Sequence, residues 1–284
     1  MKLMPAITTL AALFLNLASP VQASAQAAPS SAMHSADING ISLAYRDIGS
    51  GPPLVLLHGF TGTGANWDAF IPALGAKYRL IVPDLRGHGR SLNPSGQFTT
   101  HQLAADVIAL LDRLHIDHAD AIGVSMGAMT LLHMATMEPD RLGSITLVSG
   151  TPYFPEQARA IYRRNNPDSI PRERLESMAR AHSGGVPQVL QLMRQFYAYK
   201  DSYDDMTFTP PQLATIKART LIVHGDRDQF FPVSLAFEMY QAIPNSYLWV
   251  VPNGEHAAPI TTARGREMFT EIVLEFLAGK WQSR

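Results

Sequence analysis

Ala119-Asp120-Ala121-Ile122-Gly123-Val124-Ser125-Met126-Gly127-Ala128-Met129-Thr130-Leu131-Leu132 is the stretch that decides the fold. Its first six residues form a short apolar run of strand length. The residues after Ser125 favour a helix through about Met137, and Pro139 marks its end. Between the two lies Gly123-Val124-Ser125-Met126-Gly127, a G-x-S-x-G string. The string alone is a weak signal, and a plain strand-to-helix turn with a helix-capping serine is the bland alternative. Its place between a strand and a helix gives it weight. A turn that tight strains the serine backbone, and glycine two residues either side removes the clash.

Working outward, strands and helices alternate. Leu54-Val55-Leu56-Leu57 and Arg79-Leu80-Ile81-Val82-Pro83 are continuous apolar runs, as expected of strands covered on both faces. Leu103, Val107, Leu110, Leu111 and Leu114 share one face of a helix over 100–114. Strands follow at Ser144–Val148, Thr220–His224 and Tyr247–Val251, with helices over Val233–Ala242 and from about Thr261 to Leu277. Near the start, residues 38–45 alternate about Asn39-Gly40, a hairpin signal. The pattern predicts an α/β fold with a doubly wound, mostly parallel sheet. Between Pro152 and Pro211 the rhythm breaks into helices and loops rich in Tyr and Phe. Residues 152–209 are therefore expected to form an inserted helical cap, with the core built from 37–151 and 210–284.

Composition narrows the function. The 284 residues are 46% hydrophobic, enough for a sizeable core. Lys plus Arg number 23 and Asp plus Glu 24, with no long basic run, so nucleic acid has no electrostatic footprint. The absence of cysteine removes disulfides, thiolate metal sites, a cysteine nucleophile and a lipoprotein anchor. Lys2, the apolar stretch Ala6–Leu17 and Ala23-Ser24-Ala25 read as a cleaved signal peptide over 1–25, followed by a flexible linker over 26–36. That predicts a secreted or periplasmic protein without stable membrane insertion after cleavage.

A serine hydroxyl needs a base within hydrogen-bond reach. Among ten histidines, His256 stands out, in the loop after the last strand and before the last helix. Loops at the carboxyl ends of parallel strands converge over one edge of the sheet. His224 sits inside a strand end and reads as structural. Asp226 and Asp228 both follow that strand, and either suits the carboxylate that orients the imidazole.

These residues resemble the α/β-hydrolase family, in its chain order of Ser, Asp and His. Four motifs carry the likeness. His58-Gly59-Phe60 looks like the oxyanion loop. Asp84-Leu85-Arg86-Gly87-His88-Gly89-Arg90-Ser91 is similar to the D-x-R-G-x-G-x-S loop. Gly123 to Gly127 resembles the elbow, and Gly225-Asp226-Arg227-Asp228 with Pro232 resembles the acid turn. The resemblance implies Asp228 as the acid, a triad of Ser125, His256 and Asp228, and an oxyanion hole from the backbone N–H groups of Phe60 and Met126. It departs at Ala128, where many members carry glycine, and at Glu255, where many carry a small residue. It implies no cofactor and no metal.

Other candidates have bland readings. His58 is expected to brace the oxyanion loop, and Arg86, His88 and Arg90 to brace theirs rather than bind phosphate. Gly59 to Gly64 lacks nucleotide-loop spacing. His115 and His118 have no third metal ligand nearby. The expected activity is hydrolysis of a small, mostly apolar carboxylic ester or lactone through an acyl-enzyme, the partner being a small-molecule substrate. Alternatives are a carbon–carbon bond hydrolase of the same fold, a slow-turnover small-molecule receptor, and a structural surface protein.

Overall fold

Asn39 and Gly40 take left-handed backbone angles, φ 46° and 81°. A two-residue turn with both central positions in that region matches the twist of the strands it joins. It links β1 (Met33–Ile38) to β2 (Ile41–Ile48), antiparallel, with Ile38 opposite Ile41. The computed structural model describes residues 32–281. The expected signal peptide, 1–25, and residues 26–31 of the expected linker lie outside the described residues. The rest of that linker is corrected. Met33 to Ala36 belong to β1, so the folded core begins four residues before Asp37. The first three residues of β1 are exposed, and pairing with β2, rather than its own apolar content, makes this segment a strand.

The remaining elements run in chain order. β3 (Pro53–Leu57), α1 (Ile71–Leu74), β4 (Arg79–Pro83) and α2 (Thr100–Arg113) come first. β5 (Ala119–Val124), α3 (Met126–Met137) and β6 (Leu142–Val148) follow. The insert then holds α4 (Glu156–Arg164), α5 (Arg172–Ala179) and α6 (Gly185–Ala198). The chain continues with α7 (Pro210–Leu213), β7 (Arg219–Gly225), α8 (Val233–Ala242), β8 (Ser246–Val251) and α9 (Ala263–Leu277). The eight strands form one sheet in the order β1-β2-β4-β3-β5-β6-β7-β8. β2 is antiparallel to β1 and β4, and every pair from β4 to β8 is parallel.

Strand periodicity sorts the core into two layers. Val55, Leu57, Ile81, Ala121, Ile145, Leu147 and Ile222 face the side covered by α2, α3 and α8. Leu54, Leu56, Leu80, Val82, Ile122, Leu221 and Val223 face the other, where α9 lays Phe269, Val273 and Phe276. Each fully buried Leu or Ile contributes about 1.5–3 kcal/mol. With both faces covered, the strands have no polar side, which is why they read as unbroken apolar runs.

The insert leaves the sheet after β6 and returns before β7. Its neck is closed: Tyr153 and Thr207 form an antiparallel bridge, and the Phe208 N–H donates to the Pro152 carbonyl at 3.0 Å. Inside it, Leu175, Val189 and Met193 make a small core of their own. Arg159 is buried and donates to the carbonyls of Phe154, Tyr199, Lys200 and Ser202. Three glutamines tie the insert to the sheet domain. Gln157 donates to the carbonyls of Asp228 and Gln229, Gln188 to those of Gly87 and Gly89, and Gln195 accepts from the Phe98 N–H. Among the described residues no helix is long and apolar enough to cross a membrane.

Candidate active site

β5 runs straight into α3 with Ser125 as the single joint. Ser125 sits at φ 52°, ψ −114°, left-handed backbone that a side-chain-bearing residue enters at a cost of about 1–3 kcal/mol. The flanking glycines show why the turn closes. A Cβ on Gly123 would strike the Gly127 carbonyl, and one on Gly127 would strike the carbonyls of Leu57 and His58. Gly127 therefore lets α3 press against the end of β3. Ala128 is fully buried at this contact, and Gly150 stands opposite, where an added Cβ would lie 3.0 Å from the Ala128 methyl.

The loop after β8 delivers His256 to the same place. Its Nε2 lies 2.9 Å from the Ser125 hydroxyl, and its Nδ1–H donates to Asp228 Oδ2 at 2.7 Å. That second bond fixes the tautomer, leaving Nε2 free to accept the serine proton. All three side chains are buried. The other Asp228 oxygen accepts the N–H groups of Phe230 at 2.8 Å and Phe231 at 3.1 Å. Burial alone would push the Asp228 carboxyl up. The His256 charge and hydrogen bond, with His224 and the Phe231 amide, outweigh it and hold the group below the usual carboxylate range.

Of the two aspartates, His256 bonds Asp228. Asp226 is exposed and reaches only Arg227, at 4.0 Å. His224 stays outside the reacting set. Its Nε2–H donates to the Phe231 carbonyl at 2.8 Å, 3.6 Å from Asp228 Oδ2, and burial holds its pKa below the ordinary histidine value. Glu255, beside His256, faces solvent.

The loop His58-Gly59-Phe60 closes the other side. A Cβ on Gly59 would lie 3.4 Å from the Ser125 Cβ, so this backbone presses on Ser125. Met126 is the first residue of α3, so its N–H has no intrahelical partner. Phe60 lies in the turn closed by the Gly62 N–H on the Gly59 carbonyl. The His58 Nδ1–H donates to the Gly59 carbonyl, and Nε2 accepts the Leu85 N–H at 3.0 Å. With both nitrogens engaged and the ring buried, His58 braces the loop. Burial lowers its pKa to about 4 against the partial support of the Gly59 carbonyl, so it is neutral near pH 7.

The second glycine-rich loop is likewise scaffolding. Arg86 forms a bidentate pair with buried Asp106. Asp84 accepts the N–H groups of Gly64 and Arg90, and the Ser91 hydroxyl accepts that of Ala44. His88 Nδ1–H donates to the Arg86 carbonyl. No sequence pattern marks Phe60, Phe196 and Phe230 as a group, since they come from three distant segments. In the fold they form a chain of half-buried rings. Phe60 and Phe196 lie 5.2 Å apart, Phe196 and Phe230 6.3 Å, and Phe230 stands 4.8 Å from the His256 ring. Tyr162 of α4 packs against both Phe196 and Phe230, and burial raises its pKa well above the ordinary phenol value.

Comparison with known proteins follows the same lines. A family model described as alpha/beta hydrolase fold matches residues 52–182. The 2-hydroxy-6-oxononadienedioate/2-hydroxy-6-oxononatrienedioate hydrolase 2 of Pseudomonas putida is 30% identical over 267 residues, 84% of this chain and 92% of that protein. The enol-lactonase of Burkholderia xenovorans LB400 superposes with a TM-score of 0.68 at 25% identity, covering 86% of this chain and all of the other. A serine hydrolase of the polyaromatic-hydrocarbon-degrading Cycloclasticus zankles shares the fold with a TM-score of 0.74 at 20% identity, covering 89% and 99%.

Proposed function

The chain belongs to the α/β hydrolase family, and on that premise we propose that it is a serine hydrolase cleaving a small, mostly apolar carboxylic ester or lactone through an acyl-enzyme on Ser125. The observation that carries this reading is the unbroken hydrogen-bond line Ser125–His256–Asp228, at 2.9 and 2.7 Å, on a strained elbow. The Ser125 oxygen attacks the substrate carbonyl while His256 Nε2 takes its proton. The N–H groups of Phe60 and Met126 hold the developing oxyanion. One such donor is worth about 3–4 kcal/mol in the transition state, more than a single aromatic contact. The imidazolium returns the proton to the leaving alcohol. Water then attacks the acyl-enzyme, again giving its proton to His256, which passes it to the departing Ser125 oxygen as the acid is released. Asp228 stays ionised throughout, in keeping with the low pKa its partners impose. The ring chain from Phe60 through Phe196 to Phe230 supports an apolar acyl or alcohol group.

A second reading rests on the likeness to the Pseudomonas putida enzyme, whose name describes hydrolysis of a 2-hydroxy-6-oxo dienedioate. The same nucleophile and base serve carbon–carbon cleavage: the bond between the attacked carbonyl carbon and its neighbour breaks, and the neighbour keeps the electron pair and takes the proton held by His256. A panel of aryl esters of graded acyl length, an enol lactone and a 2-hydroxy-6-oxo dienoate separates the two. Ester or lactone turnover exceeding dienoate turnover supports the first, and the reverse order supports the second. Ser125→Ala is expected to lower turnover on the preferred substrate to background, with the melting temperature unchanged. A single burst equal to the enzyme concentration, followed by a stall, points instead to a slow-turnover receptor. Failure of a fluorophosphonate to label Ser125 sinks all of these readings.

A further inference from the structure

Of the non-glycine residues near the site that hold left-handed backbone angles and take no part in the reaction steps above, two bond to each other. Ser149 follows the last residue of β6 at φ 49°, and Ala257 follows His256 at φ 64°. Both are buried, Ser149 completely. They face each other: the Ala257 N–H donates to the Ser149 hydroxyl at 2.9 Å. The two positions are 108 residues apart in sequence. Backbone strain of this kind persists where surrounding contacts over-determine it.

The neighbouring bonds show what the contact controls. The Ser125 N–H donates to the Val148 carbonyl at 2.8 Å, and the Ser149 N–H donates to the Val223 carbonyl at 2.9 Å. β6 lies between β5, which carries the serine, and β7, which leads to the acid turn. The dipeptide Val148-Ser149 is thus fastened to the nucleophile segment, the acid strand and the histidine loop. The first two links are backbone to backbone. The third, to the histidine loop, is made by a side chain.

We propose that Ser149 is a positioning residue for the general base: its hydroxyl anchors the backbone next to His256 and so sets the imidazole at its reach from Ser125. The proposal rests on the hydrolase reading above. Small misplacement of a reacting group is costly because the near-attack geometry is narrow. Losing one neutral hydrogen bond that holds such a geometry is expected to lower kcat about tenfold.

The test uses Ser149→Ala and Ser149→Gly in the full chain. Both remove the hydroxyl, and glycine relaxes the strained φ. Active sites are counted with a fluorophosphonate, so misfolded molecules drop out. The expected result in both variants is a kcat per titrated site lowered about tenfold, with KM within about twofold of wild type. Unchanged kcat per titrated site, with only fewer sites or a lower melting temperature, overturns the proposal and leaves Ser149 a packing residue. Absence of labelling and ester turnover in the wild type removes the hydrolase reading itself, and this inference with it.

Discussion

Asp228 is gripped on both oxygens, by His256 at 2.7 Å on one and by the amides of Phe230 and Phe231 on the other. Asp228→Asn keeps the shape but brings one NH2 group against donors. If its NH2 faces His256, the imidazole loses the acceptor for its Nδ1–H and the tautomer that makes Nε2 a base. If its NH2 faces the two amides, both buried N–H groups lose their acceptor. The first arrangement keeps an acceptor for both buried amides and is favoured, so the expected outcome is a fall in kcat of about 10⁴-fold, as for the equivalent change in serine proteases. It is read by steady-state hydrolysis of the preferred ester, with KM little changed. A loss below tenfold would show that the acid serves only to hold the loop. Ser125 and His256, which the fold brings together, were legible because each stands in a local pattern: glycines flanking Ser125, and a loop after the last strand for His256. The choice of Asp228 over Asp226 was not legible from composition or position. It depends on which carboxylate the fold buries, and it came from the resemblance. Ser149 was silent, since a lone serine after a strand has no pattern, and only the folded contact with Ala257 gives it meaning.

Elements differ in how much of their identity is local. α8 falls at Val233–Ala242 and β4 at Arg79–Pro83, as read from apolar runs and periodicity. The hairpin about Asn39-Gly40 was legible, but the start of β1 escaped because Met33-His34-Ser35 is exposed and its strand character comes from the partner. The insert was legible as a break in rhythm, but its helix boundaries were not. Its stabilising groups point inward at positions that carry no repeat, Arg159 above all. That guanidinium donates to four carbonyls around α4 and the end of α6. Arg159→Met removes the donors and keeps the bulk. The expected cost is roughly 2–4 kcal/mol of local stability. Hydrogen exchange checks it: amides in 152–209 should exchange faster while those of β5 and β6 hold their protection. Equal acceleration in both would mean that the insert and the sheet unfold as one unit.

At the scale of the whole molecule, buried imidazoles govern the response to acid. His58, His88, His133, His182 and His224 are all held below the ordinary histidine pKa, with burial as the main cause. The unfolded chain takes up protons near 6.5, while the folded chain resists them; for His58 uptake waits until about pH 4. The stability these groups contribute is therefore complete above pH 6.5 and is lost as the pH falls below it, for His58 down to about 4. On the order of 3 kcal/mol of that loss belongs to His58 alone. Urea titrations at pH 7.5, 6 and 5 should show a midpoint that drops monotonically with acidification. A midpoint constant across that range would contradict neutral burial of these rings. The bridge between Tyr153 and Thr207 carries a different consequence. Since the insert's entrance and exit are already stitched side by side, the piece between them is exchangeable: evolution, or an engineer, can trade one insert for another of different length while the strands that lead to Ser125, Asp228 and His256 keep their register, so on the proposed reading selectivity is free to drift without the chemistry being rebuilt.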